Sequence, residues 1–469
     1  MKSKYIFLVL LFLLLISCWG IFRLTFDNKK ETGDFLNIDT ELTSTKAIEL
    51  SDKNKVKTNS NIKSDDANIK KTTNMKIAEL DKDIFVLPAD ISTKIMLGLY
   101  SEITEQEGKQ IMQEMAMLPA KEALKLLLPV LDTPYRDVKI RAFVLATRLS
   151  SDSMIPFYSK ALDDSDDSIK TRAIRTISTI AHYNSEIIDK IKKITMSNSM
   201  DMPRREATRF WLEQPDLIDE EIAERLTIIM SNTINDDENS SYGRVHHGRL
   251  NAAWALCKTS KGGDGVIHNL QSAFKQGIDK DGMELALAIA AGGALLQRGQ
   301  QNSWIKQKLL DSLDHENEFV RASSIIGLSK FNNDLEIQNK IANIVTQEGI
   351  NTKWKVFYAA GEFGKTANCP NLINTLESKL NNSYAAKYPY FKKFYTASAL
   401  SKMKETAGYE ALFELAFEND QIVTYAKLGA IGELRRESGN YFNYTLAVPD
   451  SSKYTIELKW KNFIRNNKK

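Results

Sequence analysis

Val138-Lys139-Ile140-Arg141-Ala142 and, 31 positions on, Ile169-Lys170-Thr171-Arg172-Ala173 are two copies of one pattern: an aliphatic residue, a basic residue beside it, and alanine four positions after the aliphatic. The preceding context repeats as well. Leu131-Asp132 and Leu162-Asp163 stand at the same distance before each copy. Looser copies begin at Pro203, Gly248, Gly282, Val320, Trp354, Phe391 and Val423, giving nine starts spaced 31 to 45 apart. A period of this length marks stacked supersecondary units, each unable to bury its apolar stripe alone but able to do so against its neighbours. Helical periodicity runs between the starts, with proline and glycine as punctuation and no alternating strand pattern. Proline at 203 suits the first turn of a helix, and alanines such as Ala142, Ala173 and Ala252 let helices approach closely.

The pattern resembles the HEAT family, whose second helix opens with an acidic residue, valine, arginine and a following alanine, often with Ala-Leu-Gly near its end. Glu318-Phe319-Val320-Arg321 and Ala430-Ile431-Gly432 carry the resemblance best. The expectation is an all-α chain folded as a right-handed α-solenoid superhelix of about nine HEAT-like helix pairs. The array spans 135–440. Residues 84–134, including Thr104 to Met115, provide an N-terminal cap and first helix. Residues 441–469 form a C-terminal cap helix with Asp450 or Ser451 as N-cap and Ile456, Trp460, Phe463 and Ile464 on one face.

Ahead of the array lie two further segments. Residues 1–23 begin with Lys2 and Lys4, then a twelve-residue apolar run from Tyr5 to Ile16, the length of a secretory signal. Leu15-Ile16-Ser17-Cys18 resembles a bacterial lipobox, which implies diacylglycerol on Cys18 and cleavage before it. The apolar run also continues to Phe22, and Tyr5–Phe22 is long enough for a single signal-anchor helix with its basic flank in the cytoplasm. A cleaved soluble form and a buried core helix are the other readings. The first two place the body in the cell envelope, membrane-anchored and outside the cytoplasm. Residues 24–83 are rich in Lys, Asn, Asp, Ser and Thr without apolar period, a composition that cannot offset its ordering entropy. They read as a flexible linker with a reach of roughly 40 Å.

The 469 residues include 63 basic and 60 acidic side chains, a balance that argues against nucleic acid as the main partner. Only three cysteines occur, so no disulfide framework is expected, and Cys257 and Cys369 are read as free thiols. Gly361-Glu362-Phe363-Gly364-Lys365-Thr366 ends like a phosphate loop. The position of the leading glycine is Ala359, however, and the run closes a helix instead of following a strand, so a glycine C-cap is expected. The five histidines lack metal-ligand spacing, and His246-His247 is read as an exposed pair at a helix start. Asp236-Asp237-Glu238 lacks calcium-loop spacing, and no Gly-x-Ser-x-Gly occurs. No metal or other cofactor and no catalytic residue is expected. The loop from Ser231 to His247 is either functional or unstructured. The aromatic run Tyr384, Tyr388, Tyr390, Phe391, Phe394 and Tyr395 reads as core packing.

The basic ladder on the early second helices is the main candidate for function. Lys139, Lys170, Arg204 and the arginines 141, 172, 175, 205, 209 and 249 belong to it. Arg141, Arg172, Arg175, Arg205, Arg209 and Arg249 could line a concave groove and take a carboxylate-bearing partner. The other reading pairs each arginine internally with Asp132, Asp137, Asp163, Asp164, Asp166 or Asp167. The functional expectation is a non-enzymatic, membrane-tethered extracytoplasmic scaffold that binds a protein along its concave face. An enzyme or lyase-like maturation factor using the same groove, and a polyanion or carbohydrate binder, are the alternatives.

Overall fold

The computed structural model describes Ile95, Leu99, Ile111 and Glu114, then 118–147, 152–179, 184–197, 202–231, 244–300, 302–348, 355–382, 389–417, 429–434, 436 and 450–466. These residues belong to one compact unit, Ile77–Lys469. Cys18, the Tyr5–Phe22 span, the linker, most of Thr104–Met115, the middle of the Ser231–His247 loop and the side chains of Tyr384, Tyr388, Tyr390 and Phe391 lie outside the described residues.

Among the described residues the regular structure is entirely helical and arranged as stacked antiparallel pairs. First helices are α1 (Ala120–Leu127), α3 (Ile155–Ala161), α5 (Ser185–Met196), α7 (Glu220–Ser231), α9 (Asp264–Gly277), α11 (Ser303–Ser312), α13 (Leu335–Gln347), α15 (Pro370–Asn381) and α17 (Thr406–Phe417). Second helices are α2 (Arg136–Thr147), α4 (Asp167–Ile177), α6 (Met202–Glu213), α8 (Arg244–Cys257), α10 (Gly282–Gln297), α12 (Glu318–Gly327), α14 (Lys355–Gly364) and α16 (Pro389–Lys402). The ninth is α18, helical over 429–434 and at 436. The last helix is α19 (Asp450–Asn466). The described second-helix starts fall within four residues of the repeat starts read from the sequence.

Short polar caps set these boundaries. Asp166, Asn184, Asn302, Asn317 and Asp334 each accept a backbone N–H two or three residues on, filling an orphan donor of the first turn. Apolar faces then pack second helix on second helix, α4 on α6, α6 on α8, and onward to α16. In α19, Trp460 and Ile464 are buried while Phe463 is half-buried, on the face expected. Asp450 is already helical there, so it does not serve as N-cap.

The middle of the array departs from an even stack. Helix α10 is buried on every side from Leu285 to Leu296, because its sequence is almost all alanine, leucine and glycine. A methyl on Gly293 would fall 2.3 Å from the Gly327 Cα of α12, and one on Gly292 would fall 2.8 Å from the Phe274 ring. The backbones of α10 and α12 therefore touch. A helix this thin lets its neighbours close over it, and α8 packs directly on α12, two repeats away. The Trp254 Nε1 donates to Ser323 Oγ at 2.9 Å, and the Trp254 ring stacks on Tyr358 of α14 at 6.0 Å.

Glycines 361 and 364 repeat this device. Neither has positive φ, so the expected C-cap is replaced by close packing. A methyl on Gly361 would meet the Ala399 Cα at 2.8 Å, so only glycine there lets α14 and α16 approach this far, while Gly364 lies under the Met403 side chain. Cys257 and Cys369 are free and buried, as read, and the Cys257 thiol donates to the Ala290 carbonyl at 3.0 Å.

Gly293→Ala is expected to cost about 3 kcal/mol by overpacking a backbone contact. Gly265→Ala, at an exposed position of α9 with open space around it, should stabilise by about 0.5–1 kcal/mol. Urea denaturation of both variants checks the contrast.

Candidate functional site

The C-terminal ends of α6, α8, α14 and α16 meet one another and α18. Glu213 closes α6, Lys258 follows α8, Glu362 lies in the last turn of α14, Lys402 closes α16, and Glu433 and Arg436 lie on α18. A helix C-terminus carries partial negative charge and favours cations. Lys258 and Lys402 sit at the ends of their own helices, Arg436 lies on α18, and the carboxylates lie between them. Lys258 Nζ is 2.8 Å from Glu362 Oε2, and Lys402 Nζ is 2.8 Å from Glu362 Oε1. Arg436 is 2.9 Å from Glu213 Oε2 and 3.3 Å from Glu433. Lys402 also reaches Glu213 at 3.7 Å and lies 4.9 Å from the centre of the Tyr358 ring. Lys258 additionally donates to the Leu212 carbonyl at 2.7 Å, at the end of α6.

Three cations and three carboxylates balance. Burial raises the Glu213 carboxyl, but Arg436, Lys402 and Lys258 outweigh it and bring the group down to about 2. Glu362 is held well below the carboxylate range in the same way, against its own burial, by Lys258 and Lys402. Burial pulls Lys258 down despite Glu362 and Glu213, whereas these two carboxylates raise Lys402 against its burial. The Tyr358 hydroxyl is pushed well above its ordinary value by burial, with Glu213 and Glu362 adding to it. Glu213, Glu362 and Lys402 are thus held in their charged forms and Tyr358 in its neutral form, an arrangement suited to holding helices together, while burial pulls Lys258 the other way.

The arginines named from the sequence form a second site on α4 and α6. Arg175 Nη2 donates to Glu206 Oε1 at 2.9 Å and Arg205 Nη2 donates to the same oxygen at 3.1 Å. Glu206 is buried, which raises its carboxyl, yet Arg175, Arg209 and Arg205 together bring it below its usual range. Arg172, Arg175, Arg205 and Arg209 are all half-buried. Helices α4 and α6 together carry six basic residues and three acidic ones. The other two arginines lie elsewhere. Arg249 is 2 % exposed, donates to both Glu284 oxygens at 2.7 and 3.1 Å, and also holds the Met230 carbonyl. Arg141 donates to the Leu99 carbonyl at 3.1 Å.

Two of the aspartates pair with lysines of the ladder and three with basic residues outside it. Asp132 pairs with Lys160, Asp164 with Lys139, Asp163 with Lys190, Asp166 with Arg136 and Asp167 with Lys170. The physical reason is position: these aspartates stand in inter-helix turns and first turns, within reach of basic side chains on their own and neighbouring helices. Arginines further along a second helix meet glutamates of the next second helix, as Arg175 meets Glu206 and Arg249 meets Glu284. His247 is half-buried instead of exposed, its ring 6.0 Å from Phe319 of α12. Phe394 is buried against Tyr395, ring centres 5.2 Å apart.

Sequence reasoning missed the six-membered cluster. Its signal was a charged residue at or near the ends of α6, α8, α14 and α16, and the run Gly361 to Thr366 had drawn attention to Glu362 for another reason. Among the described residues, no group of three metal-ligating side chains is placed to hold an ion, and no helix is long and apolar enough to cross a membrane.

No family model matches the chain, and no curated protein matches it. Solved structures do. The YibA protein of Escherichia coli is 17 % identical, with 65 % of this chain and 98 % of that one covered and a TM-score of 0.30. The karyopherin Kap121p bound to the SUMO protease Ulp1p is 12 % identical over 80 % of this chain and 48 % of its own, with a TM-score of 0.33. Human deoxyhypusine hydroxylase in complex with glycerol is 14 % identical, covering 67 % and 96 %, with a TM-score of 0.28. The chain thus spans about half the length of the karyopherin. At these identities and TM-scores no function passes from those proteins to this chain.

Glu213→Gln should destabilise by about 3–5 kcal/mol, because it leaves two buried cations short of a partner. Because the folded Glu213 carboxyl lies below its ordinary 4.5, its contribution is complete above about pH 4.5 and is lost as pH falls toward about 2. Denaturant titrations across that window should show the wild type losing more stability than Glu213→Gln.

Proposed function

We propose that the chain is a non-enzymatic scaffold, tethered outside the cytoplasm by its N-terminus, that takes an acidic protein segment on the arginine face of α4 and α6. The observation that carries the reading is that face: four half-buried arginines on two adjacent helices, two of them sharing the single carboxylate of Glu206. Guanidinium groups held in fixed positions with part of their surface in water suit bidentate capture of a carboxylate. The six-to-three excess of basic residues on these two helices gives the face its sign and would speed encounter with an acidic partner. Arg249 and Arg141 are left out of the proposed face because one is buried against Glu284 and the other is committed to a backbone carbonyl.

The tether rests on Lys2, Lys4, the Tyr5–Ile16 run and Leu15-Ile16-Ser17-Cys18. Lipid on Cys18 and a Tyr5–Phe22 anchor are the two forms it can take.

In-cell cross-linking followed by pull-down from solubilised membranes tests the scaffold. Arg172→Gln with Arg209→Gln leaves Arg175 and Arg205 on Glu206, and circular dichroism checks that the variant is folded before capture is compared. A protein captured by the wild type and reduced at least about tenfold with the variant supports the arginine face. Equal capture overturns that face, and capture of no protein overturns the scaffold. Separately, Cys18→Ser should abolish labelling by a radioactive fatty acid if the tether is lipid. A membrane-bound, unlabelled wild type would assign the tether to Tyr5–Phe22.

A further inference from the structure

Five turns lead from a second helix to the next first helix between α8 and α17: 258–263, 298–302, 328–334, 365–369 and 403–405. They form one continuous rim. Arg298 donates to the Lys261 carbonyl, Lys330 donates to the Leu296 carbonyl at the end of α10, Asn332 donates to Thr366 Oγ1, and Gly364 lies under Met403. Among the described residues of these turns, Lys261, Lys330, Lys365 and Lys404 are exposed, while the two acids, Asp334 and Glu405, are half-buried. Asp264 and Glu336 follow in first helical turns, where acids suit the helix start. The opposite rim has the other sign. In 278–281 and 313–317, Asp279, Asp281, Asp314 and Glu316 are exposed against one exposed lysine, Lys280. Each rim receives one helix start and one helix end per repeat, so the helix dipoles cancel on both and do not account for the segregation.

Two further observations mark the basic rim. Trp304, in the first turn of α11, is 48 % exposed, and Leu335, at the start of α13, is 65 % exposed. Neighbouring repeats thus hold a large apolar side chain at nearly the same place. The Trp304 ring packs edge-on against Phe274 at 5.3 Å, with Lys308 Nζ 5.9 Å from its centre. The second observation is Lys404, which among the described residues is the one non-glycine with positive φ, 64°. Gly299 holds the same place in the cap of α10, with φ 79°. The N–H of the next residue reaches back to the Leu295 carbonyl there and to the Leu400 carbonyl here. Glycine adopts that conformation without a Cβ clash, whereas an exposed lysine carries a steric cost with no burial in return.

We infer that this rim rests on an anionic lipid surface, with Trp304 and Leu335 in the headgroup layer and the four lysines over its phosphates. Tryptophan settles at the headgroup level, and an exposed leucine gains by leaving water. Lysine ammoniums are point charges that suit a fluid sheet of phosphates, whereas the fixed carboxylate of a protein partner favours the arginine fork. The acidic rim opposite would be repelled, which orients the array. The inference needs neither the arginine face nor either form of the tether.

Hydrogen exchange of the full-length chain, read by mass spectrometry, tests the contact with vesicles of phosphatidylcholine alone and with vesicles containing about a third phosphatidylglycerol. Segments 299–305 and 330–336 should exchange more slowly with the anionic vesicles only, on the order of threefold, and high salt should restore their rate. Segments 278–281 and 313–317 and the buried α12 should not change. Lys261→Gln, Lys365→Gln and Lys404→Gln together should abolish the slowing, with α12 still protected as the sign of an intact fold. Equal slowing with both kinds of vesicle, slowing on both rims, slowing that survives the triple substitution, or no slowing at all would overturn the lipid contact. Slowing without vesicles as the chain concentration rises would overturn it too, and would assign the rim to a second copy of this chain.

Discussion

Everything on the inner face depends on the touching backbones of Gly293 and Gly327. A stack of helix pairs bends by the difference in thickness between its two layers. Where α10 carries alanine and glycine, the inner layer loses that thickness, and α8 comes over it to α12 and α14. Trp254 can then bond Ser323 and stack on Tyr358, residues that belong to other repeats. The charges at the helix ends follow. Lys258 reaches Glu362 only because α8 and α14 have been drawn together, and the dipoles of the converging ends of α6, α8, α14 and α16 ask for the cations found there.

A closed inner face changes what such an array offers a partner. An open solenoid presents one long concave surface. Here α6, α8, α14, α16 and α18 are joined to one another by the chain's own charged side chains. Beside this junction, α4 and α6 carry six basic and three acidic residues. The two sites are neighbours, since Glu206 anchors the arginines and Glu213, on the same helix, anchors the ion cluster. A change in either is felt along α6.

The repeat, its helix pairs and most helix starts were legible because they are local: caps, an alanine in the fourth place and a fixed period act within some thirty residues. The pairing of Arg175 with Glu206 and of Arg249 with Glu284 was half legible. The one-repeat offset was visible, but the turn aspartates looked like closer partners than the glutamates of the next helix. The contacts across the inner face were not legible. Whether Lys258 meets Glu362 or water is decided by curvature summed over three repeats, and curvature comes from close approaches such as Gly293 on Gly327 that no pattern of hydrophobicity records. The glycine-rich run at 361–364 shows the same limit. Sequence placed it at a helix end, and only the packing showed that those glycines admit α16 and are not needed for a turn.

The most direct test of this account is a double-mutant cycle between Lys258 and Glu362, residues 104 apart in the chain, with Lys258→Met and Glu362→Gln measured singly and together by urea denaturation. A buried pair brought together by the closing of α8 over α10 should show a coupling of about 1.5–3 kcal/mol. Additivity within about 0.5 kcal/mol would mean that the two side chains do not meet and that the inner face is open.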